Sequence, residues 1–527
     1  MAGITVALFL VFLASVSVGF DSIDRSDEEG LIPGHPVIAG EGFSPPDGHC
    51  GTQAVVEYMT PGNLPGLADS VAWTFLFYDD AEFSGYDPLF DFANECRSSA
   101  NVNVIVLQDD MAYPAFIYYV RPDGSLSLLE ELGEVNMGDW ETLQDFLSYG
   151  KTNFPADRYF LTMYDHGAGW WGACVDETSD DMLYMNEIQI AIQAVNGVDM
   201  LAFTAPCLMG ALESAYELRS CVGVYMGSED LSGYIFWRGI MDDIAAILDD
   251  SAALSNTEIG NMVIDLIESN LEPPYGQWAT MCAVEQSQLQ AMIDVFDELC
   301  VYMTTNIDDI APTVQDARNQ VWEMGMGGTY NMDEIDFYDF LVTYLALEDD
   351  PFVTAKLQEV MDLYEFVIIN ECHGSSEPRT NGLSINFPEL EYGSQIESYV
   401  SMDLDFASNT GWDEFLIAFY DWQETGIEGG SDPEAPLTIR PAVNPICGAV
   451  NLVFTSPVTG IVTISARDIS GRTIYTGIEY VQAGETSSYL WAGTDAFGVP
   501  LPSSIYIVGI TDSSGDTAQT RVVMISR

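Results

Sequence analysis

"YFLTMYDHGAGW", residues Tyr159 to Trp170, runs through mostly apolar and aromatic positions and stops at a histidine followed by two closely spaced glycines. A run without polar alternation suits a strand covered on both faces, as in a parallel sheet. A second such run, "VDMLAFTAPC", from Val198 to Cys207, stops at a cysteine. Between them lie an acidic loop, the helix-like "NEIQIAIQAV" and the returning strand, enough for one right-handed crossover that lays the two strands side by side. Neighbouring strands are about 4.8 Å apart, so side chains at the two carboxyl ends, His166 and Cys207, can reach one substrate atom.

The rhythm continues outward from this pair. Upstream, strand-like "VAWTFLFYDD" and "NVNVIVLQDD" flank the helix-compatible "YDPLFDFANEC". A hairpin, "AFIYYVRPDGSLSLLEEL", turns at Pro122 to Gly124. A helix is expected from Trp140 to about Tyr149, with Asp139 as its N-cap. Downstream come a helix, "GALESAYELR", and a strand, "CVGVYMGSED". Residues 250–425 read as mostly helical, with one further strand at "GLSINFP", Gly382 to Pro388. The fold class is therefore α/β, a mostly parallel sheet flanked by helices.

Of 82 acidic and 15 basic residues, 76 acids and only ten bases fall before Pro436, and the net charge is −67. Such a field repels nucleic acid and anionic lipid, and no nucleic-acid partner is expected. The first twenty residues are an apolar block with small residues near Gly19, the pattern of a secretory signal. No later stretch reaches the roughly 20 apolar residues of a spanning helix, so no transmembrane span is expected once it is removed. Residues 21–69 then read as an N-terminal linker or pro-segment and 70–425 as the α/β domain. "GIEGGSDPEAP", residues 426–436, has linker composition. Residues 437–527 hold short β-branched runs such as "AVNLVFTS", "GIVTISARD" and "SSIYIVGIT" between turns, which predicts an all-β, immunoglobulin-like sandwich of about seven strands. Nine cysteines in an exported chain leave one thiol over, and setting Cys207 aside leaves eight that can pair.

A thiol is intrinsically nucleophilic, and an imidazole can take its proton and later protonate a leaving amine. Gly167 can present its N–H to a developing oxyanion with no side chain in the way, and Cys207 adds its own N–H at the start of the following turn. His166, Cys207 and Gly167 are thus the candidate catalytic set for acyl transfer. The other histidine–glycine pair, His373 and Gly374, follows Cys372 in an apparent loop with no strand before it.

In chain order, "WTFLFYDD", "LGEVNMGDWETLQDFL", "DHGAGW", "CLMGALESAYELR", "GSED", "IDFYDFL" and "GLSINFP" resemble the clostripain family of cysteine peptidases, of caspase-like fold, over roughly Val71 to Asp421. The resemblance implies a general base at His166 and a nucleophile at Cys207. The family usually has Asp-Ala-Cys, whose aspartate lines the pocket for the side chain before the cut. Here the order is Thr204, Ala205, Pro206, Cys207, so Thr204 and Ala205 occupy the pocket position and Glu229 or Asp230 would have to supply the charge. Many relatives mature by cutting themselves after basic residues, yet no Lys or Arg lies between His166 and Cys207, which moves any such cut elsewhere, for example to Arg25. Some relatives use calcium, for which Asp176, Glu177, Asp180 and Asp181 offer hard oxygen ligands; no cofactor is otherwise required.

The C-terminal series Trp491, Gly493, Asp495, Gly498, Pro500, Pro502 and Tyr506 resembles FlgD-like immunoglobulin repeats and the sorting domains of type IX-secreted bacterial proteins. It implies export machinery as a partner and a secreted, cell-surface or outer-membrane-associated location. The expected function is a cysteine endopeptidase acting on proteins or peptides; the rival is a catalytically inactive peptidase-like binding module.

Overall fold

The computed structural model describes residues 37–38, 55–58, 70–81, 96–110, 113–232, 237, 239–271, 276–325, 333–389, 395–428, 437–441, 450–467, 472–481, 483, 486–491, 493–494, 501, 504–514 and 517–524. The expected leader (1–20), the helix at 86–95 and most of the linker lie outside them. The chain divides into two compact units, Met1–Glu389 with Met402–Trp412, and Leu390–Ser401 with Asp413–Arg527. No helix among the described residues is long and apolar enough to cross a membrane.

The first unit is built on β1 (Val37–Ile38), β2 (Val55–Tyr58), β3 (Val71–Asp80), β4 (Val102–Asp110), β5 (Tyr113–Val120), β6 (Leu126–Gly133) and β7 (Ala156–Tyr164). After β7 come a separate hairpin of β8 (Gly172–Asp176) and β9 (Asp181–Tyr184), then β10 (Val198–Phe203), β11 (Val222–Gly227), β12 (Thr280–Glu285), β13 (Glu334–Asp336), β14 (Ile368–His373) and β15 (Ser384–Asn386). Eleven of these form one sheet, ordered β1-β2-β6-β5-β4-β3-β7-β10-β11-β12-β14, and β13 pairs with β15 apart from it. The central ladder from β4 through β3, β7 and β10 to β11 is parallel throughout.

Two faces of helix cover that ladder, which is why its strands read as unbroken apolar runs. On β3, Trp73, Phe75 and Phe77 pack with Ile244, Leu248, Ile259, Val263 and Ile267 of the helices Met241–Asp250 and Asn256–Ser269. The alternate residues face α1 (Trp140–Asn153): the Tyr78 ring lies 6.1 Å from that of Phe146, and Leu76 fills the space where a side chain on Gly150 would stand. The Asp139 carboxylate accepts the Glu141 N–H, as the N-cap reading expects, and α1 runs on to Asn153. The expected hairpin is present as β5 and β6, with Gly124 at φ +81 in its turn.

Three expectations change. The acidic loop after Trp170 is the β8–β9 hairpin. The mostly helical stretch 250–425 also contributes β12 and β14, antiparallel additions that close one edge of the large sheet. Each is a six-residue strand joined directly to a helix, so neither carries the bounded apolar signal of the central strands. The disulfide expectation also fails among the described residues: Cys96, Cys174, Cys207, Cys221, Cys282, Cys300 and Cys372 are all buried and none of them is in a disulfide. They pack as small apolar side chains. Even on neighbouring strands, Cys282 faces Glu371 while Cys372 faces Met281, which puts the two sulfurs on opposite faces of the sheet.

In the second unit, β16 (Thr438–Pro441), β17 (Val450–Thr455) and β20 (Thr486–Trp491) form one antiparallel sheet, and β18 (Gly460–Arg467), β19 (Thr473–Val481), β21 (Ser504–Thr511) and β22 (Thr517–Met524) form another. Leu452 and Phe454 of the first meet Val462, Ile464 and Val508 of the second in one core, the arrangement of a β-sandwich. Trp491 is buried and its indole N–H donates to the Thr494 carbonyl at 3.0 Å. The helix Trp412–Glu428 continues into the expected linker.

Candidate active site

β7 and β10 are direct parallel neighbours, with Met163 opposite Phe203. His166 and Cys207 therefore leave adjoining strands at the same sheet edge. The two loops also touch. A Cβ on Gly167 would lie 2.6 Å from Pro206 Cβ and 2.7 Å from Cys207 N and would overlap the Cys207 carbonyl, so Gly167 packs backbone to backbone on the cysteine loop.

Each loop is held by its own bonds. The His166 carbonyl accepts the Cys174 N–H (2.9 Å), Ala168 N–H donates to Gly172 O (2.9 Å), and an Asp165 carboxylate oxygen accepts the Val175 N–H (2.6 Å), which ties the histidine to the β8–β9 hairpin. On the other side, Leu208 N–H donates to Asp230 O (3.1 Å) and Gly210 N–H to Ser228 O (2.7 Å), anchoring the cysteine loop on the end of β11. Leu208 sits at φ +63, a left-handed conformation that costs a non-glycine residue about 1–2 kcal/mol. Neither the Gly167 nor the Cys207 N–H has a hydrogen-bond acceptor among the described residues.

His166 and Cys207 are each 9% exposed. Burial pushes the imidazole down to about 4. Burial likewise pushes the thiol up to about 12, with Asp230 and Asp165 adding to the rise and the Ser232 N–H opposing it. That N–H donates to Cys207 Sγ at 3.3 Å, while Sγ–H points to the Ser232 carbonyl at 3.6 Å. At neutral pH burial thus favours a neutral imidazole at His166 and an un-ionised thiol at Cys207.

The remaining sequence candidates separate. Thr204 directs both its N–H (3.0 Å) and its hydroxyl (3.1 Å) to the Met163 carbonyl, so its side chain is spent on β7. Ala205 is the partly exposed member of the run from Thr204 to Cys207. Asp230 belongs to the surroundings of the sulfur: it raises the thiol, and its Oδ1 accepts N–H groups from Leu231 (2.5 Å) and Gly325 (2.9 Å). Glu229 points elsewhere. It accepts the Gly382 N–H and shares a hydrogen bond with the Asp336 carboxyl, and burial holds both acids well above the carboxylate range, Asp336 at about 7. His373 ends the edge strand β14, exposed, with Nδ1 3.2 Å from Gly374 O and three strands away from β10.

The suggested calcium ligands are not assembled. Asp176 accepts Met137 N–H (2.8 Å) and Ser179 N–H (2.5 Å), and Asp181 accepts Asn136 Nδ2–H (2.7 Å). Among the described residues no group of three or more His, Cys, Asp or Glu side chains is placed to hold a metal ion.

Residues the sequence did not flag complete the surroundings. Leu231, Trp322 and Met324 form an apolar cluster with Cys207 and Leu208. The Trp322 indole N–H donates to Glu377 Oε2 (2.9 Å), and burial with Asp230 nearby pushes Glu377 up to about 7. Trp322, Met324 and Glu377 come from segments more than a hundred positions after the cysteine, and no local pattern announces them.

The model of the clostripain family matches residues 80–422. Clostripain of Hathewaya histolytica is 41% identical over 101 residues, 16% of this chain and 19% of that one, so the match spans about a fifth of that relative. A secreted C11 cysteine protease from Bacteroides thetaiotaomicron, solved with an irreversible peptide inhibitor, aligns over 65% of this chain and 99% of its own at 14% identity and TM-score 0.45. An inactive zymogen C11 protease from Parabacteroides distasonis aligns over 66% and 99% at 19% identity and TM-score 0.48. FlgD from P. aeruginosa aligns over 14% and 57% at 20% identity and TM-score 0.12.

Proposed function

The chain belongs to the clostripain family, and on that premise we propose that it is a cysteine endopeptidase with Cys207 as nucleophile and His166 as general base. The observation that supports this most is the packing of Gly167 on Pro206 and Cys207, which joins the two strand ends in one site. Because neither group is charged at rest, proton transfer accompanies attack: the imidazole takes the thiol proton as sulfur bonds to the scissile carbonyl carbon. The oxyanion that forms can take the unspent N–H groups of Gly167 and Cys207. The imidazolium then protonates the leaving amine, the C–N bond breaks, and a thioester remains. Water, deprotonated by the same imidazole, cleaves the thioester to an acid and restores the thiol. Digestion of a peptide library by the wild type, compared with Cys207→Ala and His166→Ala, tests this; equal digestion by all three overturns it.

The pocket before the cut lacks the usual aspartate but has Asp230 close to the sulfur. A cationic substrate side chain is the natural partner of that charge. Asp230→Asn should therefore lower kcat/KM for substrates with Arg or Lys before the cut far more than for neutral ones, and an equal loss for both classes counts against it. We assign the protein to the bacterial cell surface or exterior on its apolar leader and FlgD-like series; detection of the uncleaved chain solely in the cytoplasm overturns that assignment.

One observation favours the rival binding module: the thiol pushed up to about 12 and held at Ser232. Alkylation of Cys207 separates the two. A rate that depends on pH and on His166 supports the peptidase, and a slow rate indifferent to both supports the module.

A further inference from the structure

The second glycine of "HGAG" has a different neighbour from the first. Gly169 sits at φ +58, and a Cβ there would collide with Glu334 Oε1 and lie 3.4 Å from the Leu208 carbonyl oxygen. Glu334 begins β13, which is not a strand of the large sheet. It reaches the seam between the histidine loop and the cysteine loop from a distant part of the chain. Gly167 joins those loops by direct contact, and at Gly169 the Glu334 carboxyl and the Leu208 carbonyl both close in on the space a side chain would take.

Glu334 is 3% exposed, and its Oε2 is buried with no hydrogen-bond partner among the described residues. Its backbone is occupied: Met324 N–H donates to the Glu334 carbonyl at 3.0 Å, and the residue stands opposite Asn386 on β15. An apolar side chain of similar size would avoid leaving a polar atom unmatched, so burial alone does not explain a glutamate here. The titratable groups that face it are acids: Glu213 from the helix Leu212–Glu217, Asp333 beside β13, and Asp230 after β11. Burial first, and then those three carboxyls, keep Glu334 protonated far above the ordinary carboxylate range.

We propose that Glu334 is a positioning residue for the peptidase reaction: its carboxyl, packed on Gly169 where the Leu208 carbonyl also approaches, fixes how the loop that carries His166 sits against the loop that carries Cys207. This rests on the endopeptidase reading. A displacement of about 1 Å between reacting groups can cost about 10²-fold in rate.

The test measures kcat and KM from acid to alkaline pH, the rate of Cys207 alkylation by iodoacetamide, and the thermal midpoint, for wild type, Glu334→Gln, Glu334→Ala, Gly169→Ala and the Gly169→Ala/Glu334→Ala pair. Glu334→Ala should lower kcat about 10²-fold with KM changed less than about 2-fold. Glu334→Gln, which keeps the shape of the side chain, should restore kcat to within about 3-fold of wild type. Gly169→Ala should also lose kcat, and the paired variant should lose much less than the product of the singles, because the new methyl occupies the vacated space. The inference is overturned if Glu334→Ala keeps wild-type kcat, if Gln and Ala variants fall together with their thermal midpoints, or if the paired losses multiply. Should the wild type show no Cys207-dependent hydrolysis, the endopeptidase reading fails separately. The alkylation profile then decides the positioning role, which is overturned if Glu334→Ala leaves that profile unchanged.

Discussion

In the first unit, β3 is buried at nine of its ten positions; in the second, β18 buries Val462, Ile464 and Ala466 and leaves the residues between them partly open. A strand covered on both faces has no side left for water or substrate. Its polar chemistry is confined to its ends, which is where His166, Cys207, Asp165 and Asp230 lie. A strand with one open face needs no such ends, and the sandwich presents Ile461, Ile478 and Tyr480 to solvent instead. Charge is divided too, with 76 of 82 acids before Pro436, ahead of the sandwich strands. The comparison teaches that enclosure on both faces, more than residue type, sends the polar groups of the central strands to their ends, whereas a strand with one open face keeps part of its surface in water.

The largest effect that could break this comparison is on hydrolysis. Cys207→Ala should reduce peptide cleavage by about 10⁴-fold or more. Ile464→Ala in the sandwich should leave kcat within about 2-fold, and a large loss there in a peptide assay would show that the two units do not divide the work. Next come the cores themselves. Phe75→Ala should cost about 3–5 kcal/mol and Ile464→Ala about 2–5 kcal/mol, read as shifts in denaturant midpoint. If tryptophan fluorescence and circular dichroism show a single transition for both variants, the units do not unfold independently.

A smaller effect sharpens the contrast through pH. Burial raises Asp336, Glu217 and Glu377 to about 7. A carboxyl raised in the folded state binds more protons folded than unfolded, so its share of stability is complete below the unfolded value near 4 and is lost as pH rises through about 7. The denaturant midpoint of the α/β unit should therefore fall between about pH 4 and pH 7, and Asp336→Asn should flatten part of that slope. A midpoint that rises over the same window contradicts the burial account. Smallest of all, Tyr480→Ser on the open face of the sandwich should move stability by less than about 0.5 kcal/mol; a larger loss in a thermal melt means that face is covered.

Much of this was legible in the chain. The central strands announced themselves by unbroken apolar runs, the Asp139 cap by its side-chain type, and the sandwich by its alternating β-branched segments. His166 and Cys207 stood out because reactive types closed two such runs. The antiparallel strands β12 and β14 did not, since their partners are remote and each is joined directly to a helix. Glu229 looked equivalent to Asp230 in "GSED", yet in the bend after β11 it turns to Asp336 and Gly382 while Asp230 stays by the sulfur. Only the partners from distant segments show that difference.

The sequence by itself determined where the strands run, which residue types stand at their ends, and the size of the acidic excess, because these follow from local periodicity and composition. Only the tertiary structure decided that Gly167 lies on Pro206 and Cys207, that Gly169 makes room for Glu334, and that burial moves the imidazole down and the thiol up. Those outcomes depend on desolvation and close contact among segments far apart in the chain, and neither exists until the chain has folded.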